Sequence, residues 1–486
     1  MNVLHNIEPK EVFRFFEEIS SIPRPSYKEK AISDYLVNFA QERGLQYWQD
    51  DLYNVVMIKE ATPGYETEEP IILQGHMDMV CEKENGCNKD MEKEGLDLAV
   101  EGDYVYAKGT TLGGDDGIAV AFALAILDSD SIKHPRLEFV CTVSEEVGMD
   151  GAKALDVSML KGHLLLNMDS EEEGTVLAGC AGGGSAEVNL SVNRENFPGE
   201  PVVLHIAGLS GGHSGTEINK GRANSTLLLA RVVRDVEKNT EIRLSALESG
   251  SKDNAIPREA KALIWAQDID ALKKTVEDSQ EALKNEYSVS DPGLIVEILP
   301  ADAISSVAVN AAPLNLESSH KVLSLIQSLP NGVMRMSDHI ERLVETSLNM
   351  GVAGLNEAGL TLRFSIRSSV GSAYADLKDR VLWIAKAFGA EASVSGEYPA
   401  WEYVEESVLR EKMARIYKDM FGKELIIEAI HAGVECGLLA DKISGLDAVS
   451  MGPDILDIHT SQEKLSISST KRMYDYVVRI LEEKKE

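Results

Sequence analysis

The chain has 486 residues, 44% hydrophobic and 26% charged, which is long enough for two or more hydrophobic cores and globular in composition. Acidic residues outnumber basic ones by 80 to 48, a formal charge of -32, and no Lys/Arg-rich block offsets it, so nucleic acid is not an expected partner. Cys81, Cys87, Cys141, Cys180 and Cys436 are odd in number and sparse, which excludes a disulfide framework and the paired spacing of a zinc ribbon, and points to a reduced, cytoplasmic compartment. Met1 to Lys10 lacks the apolar core of a signal peptide, and no run of about 18 apolar residues predicts a membrane span.

In chain order, Val12, Phe13, Phe16 and Ile19 have helical spacing within Pro9 to Ile19. Ser26 and Glu29 have the spacing of a capping box for a second helix reaching about Glu42. Leu52 to Ile58 and Pro70 to Gln74 read as strands, and the alternation predicts an α/β layer architecture. The stretch Ile71 to Met79 is an apolar run that delivers His76 and Asp78, two residues apart and so on one side of an extended chain. A metal-binding histidine commonly hands its second ring N–H to a carboxylate, which Asp78 is placed to supply. Taken alone, His-x-Asp at a strand end is more often a surface turn or a satisfied core histidine than a metal site.

After Tyr104 to Ala107, Gly109 to Gly117 forms a Gly-rich loop that runs into an apolar helix, Ile118 to Leu127. It carries Asp115 and Asp116 and lacks the Lys-Ser/Thr ending of a phosphate loop, so cation binding is favoured over anion binding; a tight turn with Asp as helix cap is the plain alternative. Leu137 to Val143 is an apolar strand followed by Glu145 and Glu146, and Leu164 to Met168 repeats the pattern and ends in Asp169. Three buried strands thus end in His/Asp, Glu/Glu and Asp, where open α/β sheets place their ligands.

Gly179 to Gly184 reads as a hinge, and the sequence beyond it has strands and helices of its own until Ser395 to Trp401. Helix Val404 to Phe421, strand Ile426 to Ile430, His431 to Gly437, Ser450 to Thr460 and an amphipathic helix from about Ser468 complete the chain. The expected layout is a catalytic α/β domain with a central mixed sheet, residues 1–184 and 396–486, interrupted by an inserted α+β lid domain, residues 185–395.

Gly75-His-Met-Asp78, Gly113-Gly-Asp-Asp-Gly117, Ser144-Glu-Glu-Val-Gly148, Asn167-Met-Asp169, Gly212-His-Ser-Gly215 and Ile458-His459-Thr460 stand in the order found in co-catalytic zinc aminopeptidase-type enzymes. With Asp253-Asn-Ala-Ile-Pro-Arg-Glu259 and His431-Ala-Gly-Val-Glu-Cys-Gly437, essentially the whole chain resembles the cytosolic aminoacyl-histidine (Xaa-His, non-specific) dipeptidases. The resemblance implies Asp115 bridging two Zn2+ ions, one completed by His76 and Asp169, the other by Glu146 and His459. It implies Glu145 as general base, Asp78 orienting His76, and His213 donating to the oxyanion from the inserted domain, in its own site or a partner's. Relatives often have Asn at the position of Asp116, which leaves a ligand role there in doubt. By the same similarity Asn254 and Arg367 hold the substrate carboxylate, with Arg363 as the other candidate arginine, and Gly433 offers backbone groups.

Charge counting supports the ligand set on its own: two divalent cations against Asp115, Glu146 and Asp169 leave one positive charge, which favours a bridging hydroxide, whereas adding Glu145 as a ligand would cancel it. Oxygen and imidazole donors without thiolate suit zinc, with Mn2+ or Co2+ as substitutes. The expected activity is hydrolysis of dipeptides, broad and including Xaa-His, by a protein that related enzymes suggest is a homodimer. A deacylase or carboxypeptidase on the same scaffold is the alternative enzyme, and a metal-free binding protein the alternative from another class. His5, His134 and His163 belong to no motif and are expected to be structural or exposed.

Overall fold

In the computed structural model, which describes residues 3–304 and 312–484, the apolar runs Ile71–His76 and Leu137–Thr142 are strands buried at every position. They pair in parallel from Ile71 opposite Leu137 to His76 opposite Thr142. Burial of both strand faces is what an unbroken apolar run requires, because an alternating strand would leave one face to water. Leu164–Asn167 pairs in parallel on the other side of Ile71–His76, and Asp447–Ser450 in parallel beyond it. Gln46–Gln49 and Val55–Lys59 extend one edge in antiparallel fashion, while Thr175–Cys180, antiparallel, and Ile426–Ile430 extend the other. The result is an eight-stranded mixed sheet whose four parallel strands end at one edge.

Helix Gly114–Asp128 is apolar on every side and buried from Gly114 to Leu127, as a helix without a polar face must be. It packs on Ile71–His76 and on helix Lys10–Ser20, whose Val12, Phe13, Phe16 and Ile19 are buried at the predicted spacing. A smaller antiparallel sheet, Leu98–Glu101, Tyr104–Ala107, Lys464–Ser466 and Ile455–Leu456, ties the chain's last quarter to the loop that precedes this helix.

The chain forms two compact units, Met1–Cys180 with Tyr403–Ala429 and Val434–Glu486, and Ala181–Glu402 with Ile430–Gly433. The second unit is built on a nine-stranded antiparallel sheet, which includes Val344–Asn356, Gly359–Ser368, Gly182–Leu190 and Glu391–Tyr398 as adjacent strands. Helices Ser225–Glu237, Ile269–Glu286, Leu316–Ser328 and Gly371–Ala387 contribute apolar side chains to its core. The protein is therefore α/β in class, with a mixed central sheet in the first unit.

One local expectation changes. Ser26 and Glu29 do not form a capping box: the helix Lys30–Glu42 has no side-chain cap. The Ser26 hydroxyl instead donates to Asp78 Oδ2 at 2.7 Å, and Glu29 Oε1 accepts from Ser144 N at 2.9 Å and Ser144 Oγ at 2.8 Å. Both side chains are spent on the loops that carry the site. The division between the two units falls at Cys180/Ala181, inside the glycine run Gly179 to Gly184, and that run continues into strand Gly182–Leu190, where a Cβ on Gly183 would stand 2.7 Å from the Tyr398 hydroxyl.

Candidate active site

The parallel strands deliver their functional residues at or just past their carboxyl ends. His76 is the last residue of its strand, Glu145 and Glu146 follow Thr142, and Asp169 follows Asn167. Asp115 stands at the entry to helix Gly114–Asp128, where its backbone (φ -80, ψ 109) is not yet helical. His459 is carried by the connection between Ile455–Leu456 and Lys464–Ser466, with a left-handed φ of 61°. Ser144, just before the two glutamates, has φ 54° and is held by Glu29. Non-glycine residues in that region cost energy and persist only where their surroundings fix them.

Asp115 places its two oxygens on different histidines, Oδ1 3.1 Å from His76 Nε2 and Oδ2 3.0 Å from His459 Nε2. Asp169 lies 3.7 Å from the same nitrogen of His76, and Glu146 3.0 Å from that of His459. These contacts make two groups around the Asp115 carboxylate, one through His76 and one through His459, and His76, Asp115 and Glu146 lie within reach of a single ion. His76 turns its other nitrogen, Nδ1, to Asp78, 3.2 Å from the backbone oxygen and 3.4 Å from Oδ1. Asp78 itself is fully buried and accepts from Ser26 Oγ, from Glu145 N at 3.1 Å and from Glu146 N at 3.4 Å. It thus orients the histidine and the two-glutamate loop together.

Asp116 is also brought beside His76 and Asp169, within reach of a shared ion. Its Oδ2 accepts the backbone N–H of His76 at 3.1 Å, and a Cβ on Gly75 would come within 2.5 Å of that oxygen, which explains the glycine before His76.

The electrostatics show a hole for positive charge. Burial pushes the Asp169 carboxyl up to about 6 and Glu145 well above the carboxylate range, aided by the neighbouring carboxylates. Asp115 is held well below that range, against the effect of burial, by hydrogen bonds from His459 and His76. In turn, Asp115 and Glu146 push His459 up to about 11, and His76 is raised despite its burial. Among the described residues, the ion-pair partners of Asp115, Glu146 and Asp169 are these histidines, with no Lys or Arg. Protons on imidazole fill the place of cations, and hard oxygen with imidazole nitrogen is a donor set that divalent zinc, manganese or cobalt fits.

Two residues that the motifs do not flag hold this arrangement. The Glu463 carboxylate, 2% exposed, accepts four successive backbone N–H groups, from Leu112 at 2.8 Å, Gly113 at 2.9 Å, Gly114 at 2.8 Å and Asp115 at 3.3 Å. The buried Arg24 guanidinium donates to the carbonyl oxygens of Met77, Asp78 and Gly113, linking the His76 and Asp115 loops. Glu463 stands four residues after His459, but a lone exposed-looking Gln-Glu-Lys run gives no sign of burial; Arg24, between Pro23 and Pro25, gives none either.

The second unit gathers the other candidates. Gly212–His213 pairs with Ala255–Ile256, so the His213 and Asn254 segments lie side by side, with Ser214 N donating to Asn254 O at 2.9 Å. His213 Nδ1 accepts the backbone N–H groups of Gly215 and Thr216, each at 3.3 Å, which leaves the ring hydrogen on Nε2 as a donor. Burial and the charge of Arg367 lower its pKa, so the ring is neutral. The Asn254 side chain is exposed, and Gly433 is half-buried. Arg363 is 55% exposed and paired with Glu187 at 2.8 Å, whereas Arg367 is buried and donates to the Tyr398 hydroxyl at 3.1 Å. Of the histidines outside the motifs, His134 is buried against Pro135 O and His163 is exposed beside Glu69.

A mixed α/β sheet that collects carboxylates and imidazoles at the ends of its parallel strands is the scaffold of a metallohydrolase. Residues 72–483 match the peptidase family M20/M25/M40. The chain is 37% identical over 487 residues to the cytosol non-specific dipeptidase of Escherichia coli (strain K12), covering 99% of each. It superposes on the aminoacylhistidine dipeptidase of Vibrio alginolyticus with a TM-score of 0.91 and 35% identity, over 99% of both chains. A tripeptidase of Staphylococcus aureus shares the fold at 16% identity and a TM-score of 0.55, over 98% of both chains. The chain belongs to peptidase family M20/M25/M40 and is an enzyme, a peptide-bond hydrolase.

Proposed function

We propose that this enzyme is a dinuclear metal-dependent dipeptidase of broad specificity that accepts Xaa-His dipeptides. The observation that carries the reading is Asp115, whose two oxygens serve two histidines and so offer one carboxylate to two ions. Full-length similarity to proteins named as dipeptidases supports the substrate class.

His76, Asp115 and Asp169 would hold one cation and Asp115, Glu146 and His459 the other, with zinc as the first choice and manganese or cobalt as substitutes. When bound, such a pair polarises the scissile carbonyl and acidifies the attacking water. The chain's own groups do the rest. Glu145, the raised carboxyl beside the donor sets, takes the proton of the water and passes it to the leaving amine. Asp78 fixes the ring of His76 and the backbone of Glu145 so that base and ligands keep their spacing. His213 presents Nε2–H to the developing oxyanion. Arg367, buried and without a carboxylate partner among the described residues, takes the free C-terminal carboxylate, and Asn254 and Gly433 supply further polar contacts. The second unit thus serves as the substrate-recognition domain. Free cysteines suit a reducing compartment, and a cytosolic location and a homodimer are part of this reading.

The test is hydrolysis of a panel of dipeptides, tripeptides and N-acyl amino acids by wild type and Glu145→Ala, with bound metal quantified in both. Dipeptide hydrolysis lost in the variant at unchanged metal content is the expected result. Loss of metal with activity would make Glu145 a ligand, and a preference for N-acyl substrates would overturn the dipeptidase assignment.

A further inference from the structure

Four adjacent strands of the second unit bring Tyr398, Gly183, Arg367 and Ser347 into one row, each opposite the next. Residues directly opposite one another share a sheet face. Gly183 has no side chain to interpose, so the Tyr398 hydroxyl reaches across it to Arg367. On the far side of Arg367, Ser347 Oγ lies 2.7 Å from Nε2 of His431.

Two buried polar atoms here have no hydrogen bond of good geometry, Arg367 Nε and His431 Nδ1, although the Val344 backbone carbonyl also lies close enough to the His431 ring to compete for its hydrogen. Both side chains are more than nine-tenths buried, at 8% and 5% exposure. A buried guanidinium with no counter-ion is costly, and an unpaired ring nitrogen beside it adds to the cost. Arg367 stands opposite Ser347 and His431 is bonded to it, so the two deficits flank one serine and suit a ligand with acceptor oxygens.

We propose that His431 is a specificity-determining residue, its Nδ1–H acting with Arg367 as a second donor to the substrate carboxylate. The proposal rests on the dipeptidase reading for the identity of that carboxylate. Ser347 can act as donor or acceptor, so the tautomer of His431 follows the ligand: an anion beside Arg367 fixes the hydrogen on Nδ1, and the serine then donates into Nε2. Burial and the charge of Arg367 push the His431 pKa down to about 3, so it stays neutral and supplies a donor without a second charge. A neutral donor matters for selectivity. One cation and one neutral N–H match a single carboxylate, and a C-terminal amide loses the charge that pairs with Arg367 and sets its NH2 group against one of the two donors.

The two amides that resemble halves of histidine test this. In His431→Asn the amide nitrogen stands where Nδ1 stood, keeping the donor and losing the reach to Ser347. His431→Gln keeps the reach to Ser347 and loses the donor at the δ position. The measurements are kcat and KM for a dipeptide and for its C-terminal amide, with calorimetric binding of L-alanine to the metal-loaded enzyme as an independent readout. For His431→Gln we expect KM for the free acid to rise roughly 10- to 100-fold, with kcat and amide hydrolysis little changed and L-alanine binding weakened to match. His431→Asn should retain most of the preference for the free acid. Equal losses on acid and amide, or a preference kept by Gln and lost by Asn, would overturn the proposal and leave His431 a structural link to Ser347. If wild type hydrolyses no dipeptide, the dipeptidase reading fails, and calorimetry still decides the carboxylate pocket: L-alanine binding that is unaffected by His431→Gln overturns it.

Discussion

Asp78 gathers Ser26, His76 and the backbone of Glu145 and Glu146 on two carboxylate oxygens, so its charge acts through several bonds at once. Asp78→Asn, which replaces one acceptor oxygen by a donor, should lower kcat about 10- to 100-fold while most metal is retained, measured by steady-state kinetics and metal analysis. His431 carries a different prediction. Below its unfolded pKa of 6.5 the unfolded chain binds a proton that the folded chain refuses until about pH 3. The unfolded state therefore binds more protons in that window, and stability falls as pH drops through it, by about 5 kcal/mol at most. His431→Asn should unfold at a less acid-sensitive denaturant midpoint than wild type between pH 6.5 and 4. At this scale the sequence was most readable where chemistry and position coincide: His76, Glu146 and Asp169 stand out because a carboxylate or imidazole at the end of an apolar strand adds nothing to the packing of the core. Arg24 and Glu463 were not readable, since what makes them matter is burial against backbone groups far away in the chain.

Among the elements, the loop into helix Gly114–Asp128 shows how a flexible glycine-rich segment is made rigid. Its N–H groups converge on Glu463 and its Gly113 carbonyl on Arg24. Glu463→Gln leaves one oxygen where two accepted four hydrogens, so Asp115 loses its fixed approach to both histidines. We expect metal affinity to fall about 10- to 100-fold with the secondary structure intact, checked by competition with a metallochromic chelator and by circular dichroism. The strands and the central helix were legible from apolar runs, to within a few residues at their ends. The start of helix Lys30–Glu42 was not, because Ser26 and Glu29 have the spacing of a local cap yet bond to Asp78 and Ser144. A capping pattern is a local rule, and here a distant carboxylate and a distant backbone N–H outbid it.

For the molecule as a whole, cations and protons compete for one site. His459 is pushed up to about 11 and His76 is raised as well, and the ligand roles proposed for them would require their bare nitrogens. Metal loading at pH 7 should release on the order of two protons, visible as a dependence of the calorimetric enthalpy on the ionisation heat of the buffer. Chelation should lower Tm by roughly 5–10 °C, since ions bind only the folded arrangement. The strand Asp447–Ser450 lies between Leu164–Asn167 and Thr175–Cys180, inside a sheet whose other parallel strands come from the first 170 residues. During synthesis this gap stays open until most of the chain has left the ribosome, and His459 emerges later still. A chain interrupted before that point has a sheet with two unpaired inner edges and lacks the proposed ligand His459, so the sheet and the proposed site are completed together, and last.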